Sequence, residues 1–184
     1  MKNHTDHGAI MTTNNASFKS ILSVFFPVAL TVMLTTITPA SAAPLRVGAP
    51  PPEISLPGLA GGVVRIPRDV QGKVAIIHFW STGCSTICRD EMSALEALYV
   101  TYRSRGLVVV GVNVGQKAGE VREFLKGVNP SYPVALDTDR KAAQNYDTVD
   151  LPRTFILDRK GLIRYKIIGG ASEGTLKKDV LSLL

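Results

Sequence analysis

Two runs in this chain are apolar at almost every position: "KVAIIHFW" (73–80) and "GLVVVGVNV" (106–114). A strand with one face in water alternates apolar and polar residues, whereas a strand covered on both faces need not. Both runs therefore predict buried strands in a sheet with layers on each side. Between them Met92, Leu95, Leu98 or Tyr99, and Tyr102 recur at three- and four-residue spacing, which predicts a helix over 88–104. Strand, helix and strand in this order join parallel neighbours.

The flanking segments extend this frame. "EISLPGLAGGVVRIP" reads as two short strands around a Gly-rich turn. "EVREFLKGV" (120–128) predicts a short amphipathic helix with Val121, Phe124 and Leu125 inward. "YPVALD" (132–137) predicts a strand, and "RKAAQNY" (140–146) a helical turn or two. "RTFILDRKGLIRYKIIGG" (153–170) predicts a β-hairpin turning at 159–161. "SEGTLKKDVLSLL" (172–184) predicts a closing helix capped by Ser172. The sum is an α/β chain with a central mixed sheet flanked by helices and an extra N-terminal β-hairpin. With 45% hydrophobic and 20% charged residues, the composition fits one globular domain and excludes a disordered or fibrous chain.

The N-terminus reads differently. Residues 21–37 carry no charge, Lys19 stands just before them, and Ala40 and Ala42 follow in an A-x-A arrangement. This predicts a secretory signal over 1–42, cut after Ala42, a Pro-rich lead-in over 43–52 and a single domain over 53–184. An uncleaved anchor is the other reading, although the run falls short of the ~20 residues that span a bilayer. Either way the domain is expected outside the cytoplasm, with membrane contact only through an uncleaved N-terminal segment. The net charge of +6 is scattered among acids with no long basic run, so no nucleic-acid partner is expected.

Export gives meaning to the two cysteines, Cys84 and Cys88 in "FWSTGCSTICRDEM". In an oxidising compartment so close a pair forms a disulfide unless something reduces it. The loop it closes is too short to stabilise the fold much through chain entropy. A disulfide of that kind is better suited to being made and broken. The plainer reading is two small apolar side chains in a first helical turn.

A strand ending in Phe-Trp, then Cys and a helix, with "LPRTF" before a later hairpin, resembles the thioredoxin superfamily. The opening "GAPPPEISLPG", "GLVVVGVNVG" and "YPVALDTDRKAAQNYDTVDLPRTFILDRKG" resemble its exported TlpA/ResA type of thiol–disulfide oxidoreductase in order and spacing. The resemblance implies a thioredoxin-like fold over about 47–184. It implies that Cys84 is the nucleophile, Cys88 the resolving thiol, Glu91 the acidic residue beside the pair, and Pro152 a cis-proline facing the disulfide. It implies no organic cofactor, client protein disulfides such as apocytochrome c as substrates, and an upstream envelope dithiol as electron donor. Two positions depart from the pattern: Gly83 stands where the family usually has Trp, and the C-x-x-x-C loop is one residue too long.

Helix geometry tests that longer loop. Positions i and i+4 of a helix place their Cα atoms roughly 6 Å apart, and disulfides tolerate up to about 6.8 Å. A bridge is thus predicted to close, more easily with Cys84 ahead of the first turn and the extra residue taken up by the loop. A helix N-terminus favours a thiolate, and its exposed end suits Cys84 as attacker. Glu91, three residues after Cys88, shares that face: it either takes a proton from Cys88, raises its pKa, or is simply a first-turn Glu favoured by the helix dipole. His78 and Trp80 read as core residues. Ser81, Thr82, Ser85 and Thr86 are expected to bond loop backbone and cap the helix.

Two alternatives share the fold. Sco-type copper proteins carry a true C-x-x-x-C, and Cu(I) suits soft thiolates, here Cys84 and Cys88; yet no histidine follows Cys88 as a third ligand. Peroxiredoxin-like thiol peroxidases carry Thr/Ser-x-x-Cys, echoed by Ser81 to Cys84. The proline expected before that motif is Ile77 here, and Arg153 is displaced by one from the expected arginine.

Overall fold

The computed structural model describes residues 45–148 and 150–184. The expected signal sequence and its A-x-A site lie outside the described residues. Among those described, no helix is long and apolar enough to cross a membrane.

The two apolar runs are the middle of the molecule. Val74–Trp80 (β3) is buried at every position and lies parallel to Leu107–Val114 (β4), with Val74 opposite Leu107 and Trp80 opposite Asn113. Val134–Asp137 (β5) continues the parallel set, while Arg153–Leu157 (β6) runs antiparallel to β3 and Ile163–Ile168 (β7) antiparallel to β6. The five-stranded order is β5-β4-β3-β6-β7. Ile54–Pro57 (β1) and Val63–Ile66 (β2) form the separate expected hairpin. The mixed sheet and the N-terminal hairpin agree with the sequence reading.

Side-chain alternation along β3 divides two cores. Val74, Ile76 and Trp80 point to one face, where Ser85–Tyr102 (α1), Ala118–Leu125 (α2) and Glu173–Leu181 (α4) bury Cys88, Leu95, Val121, Leu176 and Val180. Ala75, Ile77 and Phe79 point to the other, covered by the hairpin's Ile54 and Ile66 and by Ala142, Ala143 and Tyr146 around Lys141–Asn145 (α3). A fully buried side chain of this size is worth about 1.5–3 kcal/mol, so each strand of this sheet contributes through both faces. The buried Asp137 at the end of β5 accepts hydrogen bonds from the Ala142 and Ala143 amides at 3.0 and 2.8 Å, satisfying the otherwise free donors that open α3. Ser172 caps α4 as expected, accepting from the Thr175 amide at 3.2 Å.

One boundary differs in a way that matters. The helix read from position 88 begins at Ser85. Thr86 and Ile87 are exposed, so this first turn shows no apolar periodicity.

Candidate active site

That earlier start places both cysteines on helical geometry. Thr82–Cys84 forms a single 3-10 turn, and Cys84 is the N-cap of α1 at φ −84° and ψ 20°. Cys84 and Cys88 are joined in a disulfide, their Cα atoms 5.7 Å apart. The extra residue is therefore absorbed as helix, with Cys84 as the half-in residue, and not as an enlarged loop. Cys84 is half-buried while Cys88 is completely enclosed. The Cys84 sulfur lies 2.9 Å from the Ser81 carbonyl oxygen, to which the reduced thiol can donate.

Cys84, the N-cap of α1, makes no side-chain cap bond to the helix. Thr82 binds a residue the sequence reading passed over. Its amide donates to Gln116 Oε1 at 2.8 Å, and Gln116 Nε2 donates back to its hydroxyl. Asn113 at the end of β4 donates to the same Gln116 oxygen at 2.9 Å. Gln116 thereby clips the turn before Cys84 to the neighbouring strand. Gly83 is exposed, and a Cβ there would meet only Ser81 Oγ at 3.9 Å, so the position usually held by Trp is open.

Glu91 sits one turn below Cys88 and is 3% exposed. The Thr154 hydroxyl donates to its Oε1 at 3.1 Å, while Oε2 makes no hydrogen bond of good geometry among the described residues. Burial pushes its pKa from the ordinary 4.5 up to about 7, opposed by the Thr154 hydrogen bond and by the Ala171 backbone amide. Glu91 is thus more than a dipole-favoured surface residue. His78, expected in the core, is fully buried, and its Nδ1 is 2.9 Å from Thr154 Oγ1. Burial alone holds its pKa down near 3, so the ring is neutral. Trp80 packs on Phe124 at 5.3 Å between ring centroids, a core residue as read.

Pro152 is buried at the start of β6 and follows a cis peptide bond from Leu151. Arg153, the residue a peroxidase would need at the thiol, turns its Nη1 to the Asp147 carbonyl at 3.1 Å. Among the described residues no group of three or more His, Cys, Asp or Glu side chains is placed to hold a metal ion.

Beside the disulfide, Ile87, Asp90, Glu91, Gly170 and Glu173 line a cleft of about 680 Å³. Ile87 is 56% exposed and leans on Gly170, where a Cβ would come within 2.6 Å of its Cγ2. A larger cleft of about 860 Å³, lined by Leu59, Tyr99 and Tyr132 among others, holds neither cysteine. Neither cysteine lines the smaller cleft either, but it holds Ile87, next to Cys88 in the chain, and Glu91, one turn further along α1. A reaction with protein disulfides needs an accessible sulfur and not a deep cavity.

The pattern of one known family matches residues 47–166, spanning the hairpin, both cysteines and β6. The chain belongs to the AhpC/TSA family. It is 33% identical over 116 residues to the thiol-disulfide oxidoreductase ResA of Bacillus subtilis, covering 63% of this chain and 64% of that protein. Among solved structures, a candidate DsbE thiol:disulfide interchange protein of Chlorobium tepidum aligns at 28% identity and a TM-score of 0.71, covering 76% of this chain and 98% of the other. The thioredoxin domain of a thiol-disulfide oxidoreductase from Bacteroides vulgatus aligns at 26% identity and a TM-score of 0.65, covering 74% and 99%. The fold is thioredoxin-like, and the resemblance to ResA-type proteins holds across this AhpC/TSA domain.

Proposed function

We propose that this protein is a thiol–disulfide oxidoreductase that works outside the cytoplasm and reduces disulfides of client proteins, such as apocytochrome c, through a Cys84/Cys88 cycle. The observation that carries this reading is the disulfide at the N-terminus of α1, with one sulfur half-exposed and the other enclosed. The names borne by the ResA and DsbE relatives support it. The uncharged apolar run over 21–37, preceded by Lys19 and followed by the A-x-A site, supports export.

In the reduced protein the Cys84 thiolate, favoured by the helix N-terminus, attacks one sulfur of the client disulfide. A Cys84–client bond forms, and the first client thiolate leaves. Cys88 then passes its proton to Glu91, and its thiolate attacks Cys84. The Cys84–Cys88 bond closes, and the second client thiolate leaves and takes a proton from solvent. Two electrons have moved to the client, and a dithiol donor in the envelope returns two to the protein. Pro152 flanks the client strand at the disulfide. No cofactor enters this cycle, since the sulfurs carry the electrons.

Reduced protein incubated with a peptide disulfide tests the scheme. Cys88→Ser should trap a mixed disulfide through Cys84, and Cys84→Ser should trap none. No client reduction by the wild type, with tight stoichiometric Cu(I) binding in its place, would overturn the reading in favour of copper handling. A reduction potential near thioredoxin's, about −270 mV, fits the reducing direction, whereas one near −120 mV would mark an oxidant.

A further inference from the structure

His78, Thr154 and Glu91 come from three elements and meet in one place. His78 on β3 stands directly opposite Thr154 on β6 in the antiparallel register. Both side chains point to the face that α1 covers, and Glu91 descends onto them from that helix. All three are buried, at 0%, 0% and 3% exposure. The distances are 2.9 Å from His78 Nδ1 to Thr154 Oγ1 and 3.1 Å from Thr154 Oγ1 to Glu91 Oε1. The histidine and the carboxylate are themselves 3.8 Å apart, too far to bond without the hydroxyl between them. His78 Nε2 has no partner among the described residues.

A hydroxyl has one hydrogen, so this chain has a direction. With Glu91 ionised, Thr154 must donate to the carboxylate, its oxygen accepts, and the neutral imidazole supplies that hydrogen from Nδ1. With Glu91 protonated, the carboxyl O–H is the stronger donor and would be left unbonded on Oε2. On Oε1 it finds the Thr154 oxygen. The threonine hydrogen then turns to Nδ1, and the imidazole carries its hydrogen on Nε2.

We propose that His78 and Thr154 are positioning residues for Glu91, forming a proton relay in which the protonation of the carboxylate and the tautomer of the histidine change together. One proton drawn from solvent to Nε2 releases the Nδ1 hydrogen to the Thr154 oxygen, and the threonine hydrogen passes to Oε1. No other bond changes. Other groups facing Glu91 are Cys88 and Asp90 on its own helix, Glu173 of α4 across the cleft, the Tyr132 phenol and the Ala171 amide. Of the side chains among them, none bridges to the carboxylate as Thr154 does.

The inference rests on the oxidoreductase reading for its catalytic use, but the relay can be observed without turnover. Oxidised full-length protein is labelled with ¹⁵N-histidine, and His78 is assigned by the signals lost in His78→Gln. Between pH 5 and 9 the His78 ring should pass from the Nε2–H to the Nδ1–H tautomer. The change should survive in Thr154→Ser and disappear in Glu91→Gln and Thr154→Val. A tautomer constant across this range, or one that changes equally in Glu91→Gln, would overturn the relay.

A second measurement reads its use in catalysis. The hydroxyl bonds the carboxylate more strongly than the neutral acid, so Thr154→Val should move the pH inflection of client reduction upward by about one unit, with Thr154→Ser restoring it. An unmoved inflection refutes the positioning role. A tautomer change in a protein that reduces no disulfide would sustain the relay and refute the proposed function.

Discussion

Between pH 4 and pH 8, oxidised Glu91→Gln protein should gain about 2 kcal/mol of stability relative to wild type. The folded carboxyl titrates at about 7 because it is buried, against 4.5 ordinarily. Between those values the folded chain holds a proton that the unfolded chain has released. Stability therefore falls as pH rises through this window, and the loss is complete above pH 7. At about 1.4 kcal/mol per pH unit, the interval from 4.5 to about 7 caps the effect at about 3.5 kcal/mol. Relaxation of the surroundings around the charged carboxylate brings the expectation down to about 2 kcal/mol. Glutamine resembles the protonated acid in shape and does not titrate, so every other titrating group cancels in the comparison. Urea denaturation of both oxidised proteins at pH 4, 5, 6, 7 and 8 measures the difference. A flat difference, or one in which the wild type gains toward pH 8, would show that burial does not hold the Glu91 proton.

His78 acts with the opposite sign: its folded pKa lies near 3 against an ordinary 6.5, so the unfolded chain binds the extra proton and stability falls as pH drops from 6.5. The acid arm of the same denaturation series should fall more steeply for wild type than for His78→Gln, and equal slopes would contradict this. Gly111→Ala would bring a Cβ within 3.2 Å of the Trp80 indole nitrogen and 3.3 Å of the Tyr132 ring, and overpacking of this kind costs about 1–3 kcal/mol. Thermal melting should show the loss, and an unchanged midpoint would mean that both rings yield freely. Gln116→Ala removes the clip on Thr82 and should alter the alkylation rate of reduced Cys84 at neutral pH, while costing about 1 kcal/mol of stability for lost hydrogen bonds. Stability loss with an unaltered alkylation rate would make the clip purely structural.

The parallel core was legible because strands covered on both faces leave long apolar runs, and "KVAIIHFW" and "GLVVVGVNV" became β3 and β4 almost to the residue. The start of α1 was not legible. Its first turn projects beyond the sheet, exposes Thr86 and Ile87, and so lacks the periodicity that reveals a helix. Glu91 was singled out by the family resemblance, since its local spacing from Cys88 alone left the dipole-favoured first-turn reading open. Thr154 and Gln116 could not be read: their partners lie 76 and 34 residues away, and only strand pairing and loop placement bring them together. A hydroxyl within the apolar "RTFIL" was the one hint that this strand faces something polar.

The residues that lead into the domain have a consequence for how copies of it coexist. At one border of the five-stranded sheet the Leu59 amide donates to the Val134 carbonyl at 2.8 Å, and Gly58 bridges to Ala135. At the opposite border Gly48 and Ala49 exchange hydrogen bonds with Ile163 at 2.7 and 3.0 Å. An open strand border is a template on which a second chain can grow. Here a single stretch of twelve residues, from Gly48 to Leu59, reaches both borders and occupies them at these points. Trimming it would leave the sulfurs in place and strip the sheet of its guard against self-association.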